Sequence, residues 1–387
     1  MRRFHIVGLG LGLMLVASPA AADISTNAEH AIIMDGDSGQ VLWAKDADVA
    51  MPPASMSKLM TLELLFQRLK DGRMKLTDEL PISERAWRER AGSECFVPIG
   101  ARMTIETLIR CVIVASGNDS CIALAEGMGG TVEGFVGMMN KRARQIGLKQ
   151  SYFVNPDGLP QPPGQLMSAM DLAVLARHLI RDYPQYYHYF SEREIEISNI
   201  KQQNRNLVLD KFPGADGLKT GHTDAAGYGI TVSAVRGGER LILVLGGLRY
   251  PPKTNDWFAE RYRADEAARI LGLAFQEFRR YPLFKPGDVV GQAEVFGGAE
   301  KTVPLTVKAP LTVTLQVDSR PGMKAVVRYD GPVKAPVAQG QRVATLHVTA
   351  PQFPALDVPL YAARPVAQAG IFGRMMTGLS ALFSGKK

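Results

Sequence analysis

The spacing of hydrophobic and polar positions changes period along the chain, and each change marks an element. Two short apolar runs, His30 to Met34 and Gln40 to Trp43, flank Asp35-Gly36-Asp37-Ser38-Gly39 and predict a β-hairpin. Pro52-Pro53 stops the chain. From Ser55 onward Leu59, Met60, Leu62, Leu64, Leu65 and Leu69 form a pattern dense enough for a buried helix closing near Gly72. A helix-rich middle follows, with Thr104 to Ala115, an interruption at Ser116-Gly117-Asn118-Asp119, then Cys121 to Met128 and the amphipathic Val132 to Leu148. Asn155-Pro156-Asp157-Gly158 reads as a turn, and Ser168 to Arg181 as a helix with an S-x-x-D start. Alternation of period two returns in Glu194 to Ser198. Gly227 to Val235 and Arg240 to Leu245 then pair around Gly237-Gly238, and Asn255 to Phe278 is a long helix. Strands, helices, strands and a helix predict an α+β unit whose antiparallel sheet is covered by helices.

Beyond Tyr281-Pro282 the pattern is all short alternating runs separated by Pro and Gly, which predicts a small all-β domain, a sandwich, with nothing catalytic in it. In the tail Ile371, Phe372, Met375, Met376, Leu379, Leu382 and Phe383 recur at helical spacing, and the charges after Asp357 are all basic. This predicts an amphipathic helix lying on a membrane surface. At the other end, Arg2-Arg3, an apolar run from Ile6 to Ala17 and Ala20-Ala21-Ala22 read as a secretory signal peptide, with a mature chain from Asp23. The expected division is 1–22 signal peptide, 23–282 catalytic domain, 283–364 all-β domain and 365–387 surface helix.

A length of 387 residues leaves ample chain for a sizeable core, and the net charge of +7 is modest. The three cysteines, Cys95, Cys111 and Cys121, make an odd number. Cys111 and Cys121 flank the Ser116 interruption in apolar helical contexts and read as buried small hydrophobes in preference to a bridge.

Three short motifs stand in one order: Ser55-Met56-Ser57-Lys58, Ser116-Gly117-Asn118 and Lys219-Thr220-Gly221. S-x-x-K also occurs at Ser198 and Ser384, and S-x-N at Ser25, but only Ser55 opens an apolar helix and precedes the other two motifs. Ser55 and Lys58 fall one turn apart on a helix, where residues three apart are neighbours. A serine hydroxyl needs a base, and lysine serves only when its pKa falls well below ~10. Burial of Lys58 and a facing Lys219 are expected to lower it. Lys219 would hold an anionic substrate group, Thr220 and Gly221 would let a strand edge approach the substrate backbone, Ser116 would pass a proton to a leaving group, and Asn118 would hold a substrate amide. There is no G-x-S-x-G, no H-E-x-x-H, no Gly-rich phosphate loop and no metal-spaced histidine cluster.

On these motifs the chain resembles the low-molecular-mass penicillin-binding proteins, the serine-type D-alanyl-D-alanine carboxypeptidases. The run Asp216 to Thr223, Ala226-Gly227-Tyr228, Gly246-Gly247, the β domain and the amphipathic tail extend the likeness over nearly the whole mature chain. The resemblance implies a β-lactamase/transpeptidase-like catalytic domain. It also implies a periplasmic enzyme, peripheral on the inner membrane, that trims peptidoglycan pentapeptide and is acylated by β-lactams. By the same resemblance Ser55 forms the acyl-enzyme, Lys58 accepts its proton, Ser116 is a catalytic hydroxyl and Lys219 binds substrate. The backbone N–H groups of Ser55 and His222 form the oxyanion hole, and Arg205 matches a position near the substrate carboxylate. No cofactor, metal or nucleic-acid partner is expected. A class A-like β-lactamase is the nearest rival, but none of Glu126, Glu133, Glu192, Glu194 and Glu196 is followed four residues later by the asparagine which that chemistry uses. DD-endopeptidase action on peptidoglycan crosslinks stays open beside carboxypeptidase action, and the intact motifs argue against an inactive wall-binding protein.

Overall fold

The computed structural model describes residues 24–251 and 255–370. The expected signal peptide and the amphipathic tail helix lie outside the described residues. A five-stranded sheet runs in the order Val41–Lys45, His30–Asp35, Glu239–Leu248, Gly227–Arg236, Ala215–Thr223, antiparallel throughout. Successive side chains of a strand point to opposite faces. Ile32, Met34, Ile242 and Val244 therefore pack into a helical block on one side, while Ala31, Ile33, Leu241, Leu243 and Leu245 pack beneath the helix Asp256–Glu277 on the other. Burial on both faces explains why the runs Ala31 to Met34 and Leu241 to Leu245 of the inner strands are apolar without interruption.

Within the helical block, Lys58–Lys70 is buried on nearly every side, as expected of a helix without a wide polar face. The helices around it start where short polar residues cap them. Ser168 Oγ accepts from the Asp171 N–H, and Thr104 and Thr131 accept from Thr107 and Gly134. The stretch expected as one helix from Thr104 to Ala115 is regular only over Ile105–Arg110 and widens into a π turn at Cys111–Ala115.

The reading of the cysteines is corrected here. Cys111 is bridged to Cys95; Cys121 alone is a free buried thiol. The loop before Cys95 doubles back onto the π turn, a long-range contact that no local pattern announces.

The first strand after the long helix, Phe278–Phe284, pairs with Leu311–Gln316. A six-stranded sheet completes this second, all-β unit, with Val303, Leu305, Val313, Leu346, Val348 and Leu360 at its centre. The fold is thus mixed helix and sheet followed by a C-terminal β domain, as the pattern predicted.

Candidate active site

Ser55 lies in a tight turn, Ala54–Ser57, immediately before the buried helix. Ala54 is held at φ 46°, a strained setting for a residue with a Cβ. The turn brings Lys58 Nζ to 2.6 Å from Ser55 Oγ and 2.5 Å from the Asp157 carbonyl oxygen. Lys58 is fully buried. Burial pushes its pKa down, against the opposing pull of Cys121, Asp157 and Asp119. A neutral amine in this position still donates to Asp157 and is free to take the Ser55 proton.

Two glycines allow the turn to be enclosed. A Cβ on Gly158, which sits at φ +88°, would lie 2.0 Å from the Ala54 carbonyl oxygen. One on Gly221 would lie 2.9 Å from the Pro53 carbonyl oxygen and 3.1 Å from the Met56 nitrogen. Gly221 was expected to clear room for substrate; in the structure its missing side chain is what lets the strand press against the Ser55 turn. The Asn155–Gly158 turn is itself wired to the nucleophile. Asn155 Oδ1 accepts from Gly158 N–H (2.7 Å), Thr61 Oγ1 donates to the Pro156 carbonyl (2.6 Å), and Gln165 Nε2 donates to Ser57 Oγ (2.9 Å). Sequence reasoning found this turn but not its role, because its partners Thr61 and Lys58 lie 95 and 99 residues away.

Ser116 follows the π turn in the left-handed region, φ 61° and ψ 32°, and is buried. The segment Ala91–Cys95 holds the residues after it: Asn118 N–H donates to Ser93 O (2.8 Å), Asn118 Nδ2 to Ala91 O (2.6 Å), and Cys95 N–H to Asp119 Oδ2 (2.9 Å). Asn118 Oδ1 is buried and among the described residues reaches no partner. One helical turn on, burial pushes the Cys121 thiol up to about 12, an unreactive state, although it feels both Lys58 and Lys219.

Lys219 and Thr220 are buried on the edge strand Ala215–Thr223, with Lys219 Nζ donating to the Thr220 carbonyl (3.0 Å). Burial drives the Lys219 pKa well down, and repulsion from Lys58, Arg263 and Arg205 adds to it. The repulsion expected to lower Lys58 therefore weighs on Lys219, while Lys58 is lowered by desolvation. Arg205 donates its backbone N–H to Val114 O (3.3 Å), within the π turn. Arg263, which sequence reasoning missed, is buried with its Nη2 3.4 Å from Arg205 O and its Nε unpaired among the described residues. Among the described residues it makes no ion pair. In the sequence it is one of several arginines on a long helix, with no local mark. His222 is exposed at its outer side and stacks on Tyr228 at 3.8 Å. The structure thus brings Ser55 against Lys58, gathers Lys219, Arg205 and Arg263, and sets Gly221 against the Ser55 turn. Among the described residues no group of metal-ligating side chains is large enough to hold an ion.

Residues 16–248 match the family described as D-alanyl-D-alanine carboxypeptidase. The chain belongs to this family. Residues 278–368 match the C-terminal domain of penicillin-binding protein 5. The chain is 34% identical to the D-alanyl-D-alanine carboxypeptidase DacA of Haemophilus influenzae, over 90% of this chain and 87% of the relative. It is 31% identical to DacF of Bacillus subtilis over 87% of each. The crystal structure of penicillin-binding protein 5 from Haemophilus influenzae superposes with a TM-score of 0.79 at 32% identity, covering 89% of this chain and 99% of that one.

Proposed function

We propose that the chain is a serine DD-carboxypeptidase that removes the terminal D-alanine of peptidoglycan pentapeptides through an acyl-enzyme at Ser55. The observation that carries this reading is the 2.6 Å contact between Ser55 Oγ and the amine of a fully buried Lys58. Ser55 Oγ attacks the carbonyl of the penultimate D-alanine as its proton passes to Lys58. The N–H groups of Ser55 and His222 hold the oxyanion, an interaction worth ~3–4 kcal/mol per donor in other enzymes. Ser116 delivers a proton to the departing amine of D-alanine. Water activated at Lys58 then hydrolyses the ester.

Substrate recognition follows from the same elements. Ala215–Thr223 is an edge strand, and an unpaired edge accepts a second extended chain. Asn118 Oδ1, buried without a partner, accepts a substrate amide N–H. Lys219, Thr220 and Arg205 take the terminal carboxylate. An arriving carboxylate supplies the anion that this cationic corner lacks and pulls the Lys219 pKa back up.

β-Lactams acylate the same serine and leave slowly, for want of the glutamate a β-lactamase uses. The leader-like start and the amphipathic tail support a periplasmic enzyme on the inner-membrane surface. Deleting everything after Ala369 then releases it to the soluble periplasmic fraction with activity on soluble peptide unchanged.

The decisive experiment is mass spectrometry after penicillin treatment, with D-alanine release measured alongside. One adduct on the Ser55 peptide is expected, and Ser55→Ala should lose adduct and release together. Labelling that persists in that variant, or maps to Ser198, overturns the assignment.

A further inference from the structure

Three aromatic side chains stand in solvent at the start of the helix Asp256–Glu277: Trp257 (57% exposed), Phe258 (47%) and Tyr262 (52%). At about 100° per residue they share one arc with Arg261, whose guanidinium lies 4.7 Å from the Trp257 ring. The opposite face of the helix, with Ala259, Ala264, Ala267 and Ile270, is the one packed on the sheet. An exposed apolar patch of this kind marks an interaction site, and aromatic residues with arginine are the types that interfaces favour.

A series of ring contacts, running through the buried Tyr228, links the patch to the candidate active site. His222 stacks on Tyr228 at 3.8 Å, Tyr228 meets Tyr250 at 5.4 Å, and Tyr250 meets Tyr262 at 5.8 Å. The Tyr228 hydroxyl donates to Asp256 Oδ1 (2.6 Å), the residue just before Trp257. Beside Tyr262 a cavity of about 400 Å³ is lined by Asn27, Arg249, Tyr250, Asp265 and Arg269. The Tyr250 hydroxyl is buried and among the described residues reaches no partner. Aromatic faces beside polar groups suit a sugar ring, whose C–H faces pack on aromatics while its hydroxyl and acetamido groups hydrogen-bond.

We propose that Trp257, Phe258, Tyr262 and the Tyr250 cavity bind the aminosugar polymer that carries the substrate peptide. The inference rests on the carboxypeptidase reading above. With the terminal carboxylate at Lys219 and the oxyanion at His222, the amino-terminal part of the peptide leaves the strand beyond His222, where the series of rings begins. Three extended residues reach about 10 Å, far enough to set the attached glycan over the helix start.

The test compares D-alanine release from free pentapeptide and from pentapeptide on polymeric glycan, in wild type, in Trp257→Ala/Phe258→Ala and in Tyr250→Phe. On the polymer, KM is expected to rise about tenfold in the double variant, a factor within the range of a few aromatic contacts, and severalfold in Tyr250→Phe. On free pentapeptide both variants should match wild type. Peptide-free strands of alternating N-acetylglucosamine and N-acetylmuramic acid should inhibit wild type on the polymer and inhibit the double variant less. Unchanged kinetics on the polymer, or equal losses on both substrates, overturn the proposal. So does binding of wild type to phosphatidylglycerol vesicles that the double variant loses while its polymer kinetics stay normal, since the patch is then a lipid face. Failure of wild type to release D-alanine from free pentapeptide refutes the carboxypeptidase reading instead.

Discussion

Lys219 and Arg263 are both buried, Arg263 and Lys58 both repel Lys219, and among the described residues neither Lys219 nor Arg263 makes an ion pair. Burying unpaired charge costs stability, and that cost has a pH dependence whose sign is fixed. The folded pKa of Lys219 lies well below its ordinary value. Between the two values the unfolded chain binds more protons than the folded one, so this site's contribution to stability rises with pH. Its cost is full below the folded pKa and fades as pH climbs toward the ordinary lysine value of ~10.4. Lys219→Met should therefore gain stability over wild type at neutral pH by more than at pH 9.5, while its D-alanine release collapses. Packing of the methionine adds an offset that does not vary with pH, so the difference between the two pH values isolates the charge. Denaturant midpoints measured for both proteins at both pH values give the answer, and a gap that stays constant or widens with pH removes the premise that Lys219 is depressed. The sequence made Lys219 legible because K-T-G is a local motif. Arg263 was illegible because what distinguishes it, burial beside Arg205, is created only when the long helix docks on the sheet.

Ser116 shows how an element can depend on a neighbour the chain does not announce. The π turn Cys111–Ala115 delivers Ser116 into its left-handed backbone, and the Ala91–Cys95 segment grips Asn118 and Asp119. The Cys95–Cys111 bridge, with a sequence separation of 16, clamps those two pieces together. A loop of that length contributes about 3 kcal/mol by the entropy of closure. Cys95→Ser/Cys111→Ser is expected to lose a few kcal/mol of stability on that scale. It should also acylate several-fold more slowly with penicillin, and dithiothreitol should produce the same slowing in wild type but not in the variant. Acylation rates indifferent to both treatments would show that the corner is held without the bridge. The period of the apolar residues correctly announced a helix here, yet it carries no information about a widened last turn or about which cysteine another segment will meet. Gly221 teaches the same lesson, since its need for a missing Cβ arises from Pro53 and Met56, far away in sequence.

On the scale of the whole molecule, the change from helical to alternating patterning was enough to announce an α+β unit followed by a β domain. The contact between them was not announced. Asp35 is almost fully buried. Its carboxylate accepts from the Asp37 and Ser38 N–H groups of its own turn and from Thr314 Oγ1 of the β domain at 2.6 Å. Gln40 closes the same junction, donating to Thr314 O (2.7 Å) and accepting from Thr314 N–H (3.2 Å). Thr314→Val keeps the side-chain shape but withdraws one donor from a buried carboxylate, which costs on the order of 1–3 kcal/mol. That loss falls on the junction, since both cores are otherwise untouched. All three tryptophans, Trp43, Trp87 and Trp257, lie in the first unit, so fluorescence reports that unit alone while far-ultraviolet circular dichroism reports both. In wild type the two urea midpoints should coincide. In Thr314→Val the circular dichroism transition should broaden and separate from the fluorescence transition, with D-alanine release from soluble peptide unchanged because every residue assigned to the chemistry lies outside the junction. Coincident midpoints in the variant would mean that this contact does not couple the two units. A loss of activity would mean that the β domain reaches the active site through the Asp35 turn and the sheet behind it.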